Sequence, residues 1–264
     1  MSIILRQGRP ALAVRQGSFD IHALNDGSAS ALVQRLEQAR TRLEQCLPAI
    51  GRIELQGNAD DELAGTGWLV SKDIVVTNAH VADKFAMPYG NGFRFRSATS
   101  GSGRQSAAIN FLAEAGNALT RKVAISEVLW IARDWKPDIA FLRLAQDSGI
   151  EPLLLAKEPP QTNTHVVAAG YPVRDAEVED QQLMEQIFQE LYTYKCLSPG
   201  MVSGFTGTVL HDCSTLRGNS GSPLLDLNSG EVVGLHFLGG PLDGSNQAIA
   251  ASTIRNLLVQ RGLL

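Results

Sequence analysis

The sequence predicts an all-β fold of the barrel or sandwich type, with helices before, within and after the strands. Three observations carry this. From about residue 49, short runs rich in β-branched and aromatic residues recur between turn residues, as strands do. Glycine is frequent, with 25 residues among 264, which suits many tight turns. The hydrophobic share of 44% and the charged share of 19% are those of a soluble globular protein. The length allows one large all-β domain or two small ones around a full core.

Residues 1–48 read as an N-terminal extension and residues 49–264 as the strand-built domain. In the extension, Gly27-Ser28-Ala29-Ser30 offers N-cap chemistry. Leu32, Leu36, Ala39 and Leu43 then recur at helical spacing, with Arg35, Glu37, Arg40 and Glu44 on other faces. An amphipathic helix over Ala29–Cys46 follows, either packed on the wall of the domain or docking a partner. Strands are expected at Arg52–Leu55, Gly67–Val70, Ile74–Thr77, Phe93–Phe95, Ile139–Leu144, Val166–Ala169, Thr206–Leu210 and Val232–Phe237. Gly101-Ser102-Gly103 reads as a flexible loop. The stretch Asp175–Leu191 mixes Val178, Leu183, Met184, Ile187, Phe188 and Leu191 with acids and glutamines. It reads as a helical insertion on the surface and a second candidate docking element. Ser252–Val259 closes the chain as a helix.

The formal net charge of −4 argues against nucleic acid or an anionic membrane as partner. The first residues, with Arg6 and Arg9 close behind three apolar ones, do not form a secretory leader. No run is long enough to span a membrane. Cys46, Cys196 and Cys213 lack metal-ligand spacing and are odd in number. A disulfide framework is therefore not expected and a cytoplasmic location is, although one disulfide stays compatible with the count. No phosphate-binding loop, metal cluster or cofactor motif is present.

Three segments carry chemistry. In Gly218-Asn219-Ser220-Gly221-Ser222-Pro223-Leu224, a serine stands between residues that let the backbone turn. A serine hydroxyl needs a base to take its proton and donors for the oxyanion it creates; the N–H groups of Gly218 and Ser220 are the candidate donors. In Val75-Val76-Thr77-Asn78-Ala79-His80-Val81, an apolar strand delivers a histidine at its end. In Asp138-Ile139-Ala140-Phe141-Leu142-Arg143-Leu144, an aspartate opens a buried strand and can fix an imidazole tautomer. Asp134 is its local rival but precedes the turn-like Trp135-Lys136-Pro137. Taken singly, each segment also fits a plain turn or a structural histidine. Together they run His80, Asp138, Ser220, at intervals of 58 and 82 residues.

This order and these motifs, GTGWLV, VVTNAHV, DIAFLRL and GNSGSPL, resemble trypsin-like (chymotrypsin-fold) serine peptidases of the bacterial type over about residues 50–260. The resemblance implies a chymotrypsin-like double β-barrel, with His80 and Asp138 in one barrel, Ser220 in the other and the site in the cleft between them. It departs from the digestive branch at two points. No cysteine flanks His80. Asn219 stands where digestive enzymes carry an aspartate that pairs with a freshly cut N-terminus, so activation through that ion pair is not expected. Heat-shock peptidases of the HtrA type would add a peptide-binding module for which the chain has no room.

In this family, Ser214, Thr215, Leu216 and Arg217, with His236, Phe237, Leu238 and Gly239, would line the pocket for the P1 residue. Ser214 occupies the position of the trypsin aspartate, so a Lys/Arg preference is not expected; Asp212 comes two residues too early. Ser214-Thr215 and Val232-Val233-Gly234-Leu235-His236 resemble glutamyl endopeptidases, in which the matching Thr and His bind an acidic side chain. A similar pair serves glutamine in viral chymotrypsin-fold cysteine peptidases. His22, His165 and His211 are read as structural, and Cys213 as packing. The expectation is a serine endopeptidase acting on polypeptides after Glu, or after Gln or Asp, without cofactor. The rival classes are a protease component of a regulated assembly that processes one partner, and a catalytically silent peptide-binding scaffold.

Overall fold

In a computed structural model, residues 8–24, 30–56, 63–98, 103–239 and 245–264 are described. The expected cap at Gly27-Ser28-Ala29 and the loop at Gly101-Ser102 lie outside them. The first barrel is closed by six antiparallel strands: β3 (Ile50–Gln56), β4 (Leu63–Leu69), β5 (Ile74–Thr77), β8 (Ser106–Asn110), β9 (Lys122–Ile131) and β10 (Ala140–Leu144), in the order β10-β5-β4-β3-β8-β9. A separate hairpin, β6 (Ala86–Tyr89) with β7 (Gly92–Phe95), leaves the barrel after β5. The strand expected at Phe93–Phe95 belongs to this hairpin.

The second barrel is built from β11 (His165–Gly170), β12 (Cys196–Phe205), β13 (Thr208–His211), β14 (Pro223–Asp226), β15 (Val232–Leu238) and β16 (Asn246–Ala250). Its order is β11-β14-β15-β16-β13-β12, closed by pairing of β11 with β12. A strand of the extension, β1 (Leu12–Arg15), pairs with the start of β12 and with the short β2 (Ser18–Phe19). The chymotrypsin-like double barrel expected from the motifs is the observed fold.

Among the described residues, four α-helices decorate the barrels. α1 (Ser30–Cys46) buries Leu36, Ala39 and Leu43 in the main apolar cluster, which is the barrel-packed alternative. Its outer end is tied to the β14–β15 turn, where Arg42 donates to the Leu227 carbonyl. α2 (Ala79–Ala82) is a single turn after β5. α3 (Gln181–Phe188) is the expected helical insertion, started by the Asp180 carboxylate accepting from the Leu183 N–H at 2.8 Å. α4 (Ala251–Gln260) ends the fold with Ile254 and Leu258 buried. Among the described residues no helix is long and apolar enough to cross a membrane. The three cysteines are free, and Cys196 and Cys213 are buried.

Where the two barrels and the extension meet, Lys195 is fully buried. Its ammonium donates to the carbonyls of Leu47 (2.8 Å) and Phe111 (2.9 Å) and faces Glu114 at 3.7 Å. Glu114 also accepts from the Gly17 N–H at 2.9 Å. Burial pushes the lysine down to about 8, against the pull of Glu114. Removing one member of such a pair strands the other without water, a loss of about 3–5 kcal/mol. Lys195→Met is therefore expected to lower unfolding stability by about that amount in urea titrations, and adding Glu114→Gln should recover part of it. A stability equal to wild type in the single variant would show that the pair is not a structural tie.

Candidate active site

The site is assembled at the ends of strands. β5 delivers Asn78 and then His80, the latter on the single turn of α2. The chain before β10 delivers Asp138, which is buried at 8% exposure. The Asp138 carboxylate meets His80 twice: one oxygen lies 2.6 Å from Nδ1, the other accepts the His80 backbone N–H at 3.0 Å. The Asp138 carbonyl in turn accepts from the Asn78 side-chain amide at 2.9 Å. A carboxylate at that distance keeps the imidazole proton on Nδ1 and leaves the Nε2 lone pair for a substrate or nucleophile. Asp134 instead sits exposed in a turn, Arg133–Trp135, with φ of 51°, and takes no part in these contacts. Trp135 of the same turn is half-exposed, its ring 6.1 Å from that of His80. Beside it opens a cavity of about 780 Å³, lined by Trp135, Trp130, Phe93, Pro88, Arg133 and Arg261 among others.

Ser220 comes from the second barrel, on the loop between β13 and β14. Its carbonyl accepts from the Thr66 N–H of β4 at 2.9 Å, and the Thr66 hydroxyl donates to the Gly218 carbonyl at 2.8 Å. The loop is tied to β15 by Gly221 N–H to the His236 carbonyl and His236 N–H to the Ser222 carbonyl, both 2.9 Å. Gly65 allows this approach: a Cβ there would lie 2.8 Å from Val81, next to His80, and 3.1 Å from the Ser220 carbonyl oxygen. Ser220, Gly218 and His80 are half-buried, whereas Asn219 between the first two is fully buried. Neither the Gly218 nor the Ser220 N–H donates to a described residue, so both are available to an oxygen in the cleft.

Of the residues expected around P1, Ser214, Thr215, His236 and Gly239 are buried. Ser214 and Thr215 are 1% and 3% exposed, and His236 is 4% exposed. Gly239 is buried at the end of β15, next to residues outside the description. Here a residue read as structural acquires a partner. His211 of β13 is fully buried, its Nε2 3.2 Å from Nδ1 of His236 and the two rings edge to face at 5.2 Å. The signal was present in the alternation of β13, where Val209 and His211 share the inward side. Burial, and then the charge of His80, hold His236 down to about 3; burial and His236 hold His211 well below the usual range. Both rings are neutral at working pH. Burial pushes the Cys213 thiol up to about 12, so it packs rather than reacts.

Arg217, expected among the residues lining the pocket, is bound to the insertion. Its guanidinium forms two bonds to Asp175 of the insertion, 2.7 and 2.6 Å, and approaches Glu177 at 3.6 Å. Its charge is therefore matched by a buried carboxylate 42 residues away, a pairing no local pattern announces.

The geometry has counterparts among known proteins. The Rv3671c protease of M. tuberculosis in its active form superposes with a TM-score of 0.57 at 20% identity, over 88% of this chain and 87% of that one. The inactive form gives 0.54, again at 20% identity, over 88% and 96%. A serine endoprotease from Yersinia pestis gives 0.57 at 18% identity, over 85% of this chain and 65% of that one. At these identities the likeness is one of fold. No curated protein matches the sequence. The model of the trypsin-like peptidase domain, however, matches residues 65–235, a span from the glycine before Thr66 to the residue before His236, and on that match over more than half its length the chain belongs to the trypsin-like peptidase family.

Proposed function

We propose that this peptidase is a serine endopeptidase working through an acyl-enzyme, with Ser220 as nucleophile, His80 as general base and then acid, and Asp138 as the group that orients His80. The observation that carries the reading is the double hold of one buried carboxylate on His80, at 2.6 Å through Nδ1 and 3.0 Å through the backbone. His80 takes the hydroxyl proton as Ser220 attacks the scissile carbonyl. The carbonyl oxygen becomes an anion facing the Gly218 and Ser220 N–H groups. His80 then protonates the leaving amine, and a water, deprotonated by the same nitrogen, releases the acid product and regenerates Ser220.

For P1 the reading is Glu, with Gln and Asp behind it. A side chain carrying carbonyl or carboxylate oxygen fits a wall of donors, Ser214, Thr215 and the His236–His211 pair, that holds no unpaired carboxylate of its own among the described residues. The pairing of Arg217 with Asp175 leaves His236 as the source of any positive charge inside; Gly239 would border the pocket at the end of β15.

Digestion of a peptide library by wild type and Ser220→Ala, read by mass spectrometry, tests both levels. Cuts after Glu and Gln that vanish in the folded variant are expected. Cuts that persist remove Ser220 from the chemistry, and cuts dominated by Lys, Arg or Phe remove the acidic pocket. Asp138→Asn should lower kcat about 10⁴-fold through loss of the tautomer, and Asp134→Asn by less than about threefold; the opposite ranking would reassign the orienting residue.

The pH dependence has a definite sign. In the free enzyme His236 is held near 3, so above pH 5 it offers a neutral N–H. An entering carboxylate favours the imidazolium and raises that value. The ratio of kcat/KM for matched Glu and Gln peptides should therefore be highest in acid and fall as pH rises, levelling off where the neutral ring serves both. His236→Ala should flatten the curve. A ratio independent of pH in the wild type excludes charge recognition by His236.

A further inference from the structure

The 171–195 insertion grips three consecutive residues of the loop that ends in Ser220. Leu216 shares an apolar cluster with Met184, Ile187 and Phe188 of α3. Arg217 is held at both its ends: its carbonyl accepts from the Val173 N–H at 2.7 Å, and its guanidinium is bound bidentately by Asp175. Gly218, with φ of +88°, lies so close that a Cβ would stand 2.2 Å from the Tyr171 carbonyl oxygen. The peptide unit between Arg217 and Gly218 is planar and trans-like, so its C=O and N–H point in opposite directions. Fixing the Arg217 carbonyl on Val173 therefore aims the Gly218 N–H away from the insertion, toward the cleft. Asp175 is itself fixed, 3% exposed, with the Glu177 N–H on one carboxylate oxygen at 3.0 Å and its carbonyl accepting from the Gln181 amide at 2.9 Å.

We propose that Asp175 is a positioning residue for the oxyanion donors: through Arg217 it sets the direction of the Gly218 N–H, and the insertion is the element by which this peptidase controls its active-site loop. The idea rests on the proposed roles of Ser220 and Gly218. It assigns to the Asp175–Arg217 pair the loop-shaping work that Asn219, uncharged and buried, cannot do by ion pairing. The bidentate geometry is the strong form of the Arg–carboxylate contact, and the guanidinium beside Asp175 holds its carboxyl below the usual range, so the pair is intact throughout the neutral range. Nothing in it touches the substrate; it acts on the transition state through the backbone it holds.

The test combines kinetics on a peptide substrate with hydrogen exchange on the free protein. Asp175→Asn, Arg217→Gln and the double variant are compared with wild type and with Arg217→Lys. Each single change should lower kcat about 10- to 100-fold, short of the loss seen when an oxyanion donor itself is deleted, with KM altered less than about threefold. The double variant should be no worse than either single, because both remove the same contact. Arg217→Lys, which keeps the charge and loses the fork, should fall between. Amides of 216–221 should exchange faster in the singles while those of 74–77 in β5 keep their protection. The proposal is overturned by kcat within twofold of wild type, by losses that multiply in the double variant, or by protection that drops evenly through both barrels. If wild type neither cleaves peptides nor reacts with a fluorophosphonate at Ser220, the peptidase reading fails instead; unchanged exchange at 216–221 would then still refute the latch, and faster exchange there would uphold it as the device that orders the loop.

Discussion

Two barrels can share one site only if something fixes them to each other at the scale of a hydrogen bond, and Thr66 does this. Two of its polar groups cross between the barrels and the third ties it within its own. Its N–H and hydroxyl go to the Ser220 and Gly218 carbonyls of the second barrel, at 2.9 and 2.8 Å. Its own carbonyl accepts from the Thr77 hydroxyl at 2.7 Å, at the end of the strand that carries His80. Thr66 and Thr77 are fully buried, where losing a partner costs about 1–3 kcal/mol. Thr66 thus links the His80 and Ser220 segments directly, through its backbone and its side chain. Threonine suits the place because it adds a donor to a stiff β-branched side chain that prefers strands.

What was legible in the sequence was what is local. The strand that leads to His80, the strand that begins after Asp138 and the turn around Ser220 are each a few residues long. Their chemistry depends on neighbours in the chain. Strands whose signal is interrupted were not legible. β9 alternates through Val123 and Ile125, then shifts its pairing against β10 before Val128 and Ile131, so a period of two is lost midway. β12 holds Pro199, Gly200 and Gly204, residues that argue against a strand in isolation. β8 is five residues with two alanines. The His211–His236 pair was hidden for another reason. The two residues sit on β13 and β15, on either side of β16, and only closure of the barrel brings their rings together. The Asp175–Arg217 pair needs the tertiary fold for the same reason.

In the proposed P1 pocket, the neutral state of that histidine pair bears on selectivity. A charged ring in the free enzyme would lie near His80 and compete with it for the negative charge of Asp138. Burial avoids this by keeping both pocket rings uncharged until a partner arrives. Under the proposed P1 reading, selection would rest on a donor whose charge is induced by the substrate rather than stored against it. On that proposal the pocket would discriminate strongly against apolar side chains, which cannot pair with buried donors, and only modestly between an acid and its amide.

The extension completes the second barrel rather than decorating it. β12 is long: on one edge it pairs with β11, and on the other with β13, but only from Val202 onward. Its first residues would be an open edge, which folded proteins cover or shorten. β1 fills that place, pairing Leu12 with Leu197 and Ala13 with Cys196, with Leu12 and Val14 fully buried. Just before it, Arg9 binds Asp212 through two nitrogens, at 3.0 and 2.7 Å, two residues from Ser214. Ala11 N–H donates to the Ile187 carbonyl of α3 at 2.8 Å. The chain that precedes the barrels is therefore woven into the wall of the proposed P1 pocket and into the insertion that holds Arg217. Burying three side chains of the extension, Leu12, Val14 and Phe19, is worth about 1.5–3 kcal/mol each. Its contribution is folded in before any substrate binds, so the proposed control of the Ser220 loop through the insertion would act against a support already fixed by the extension.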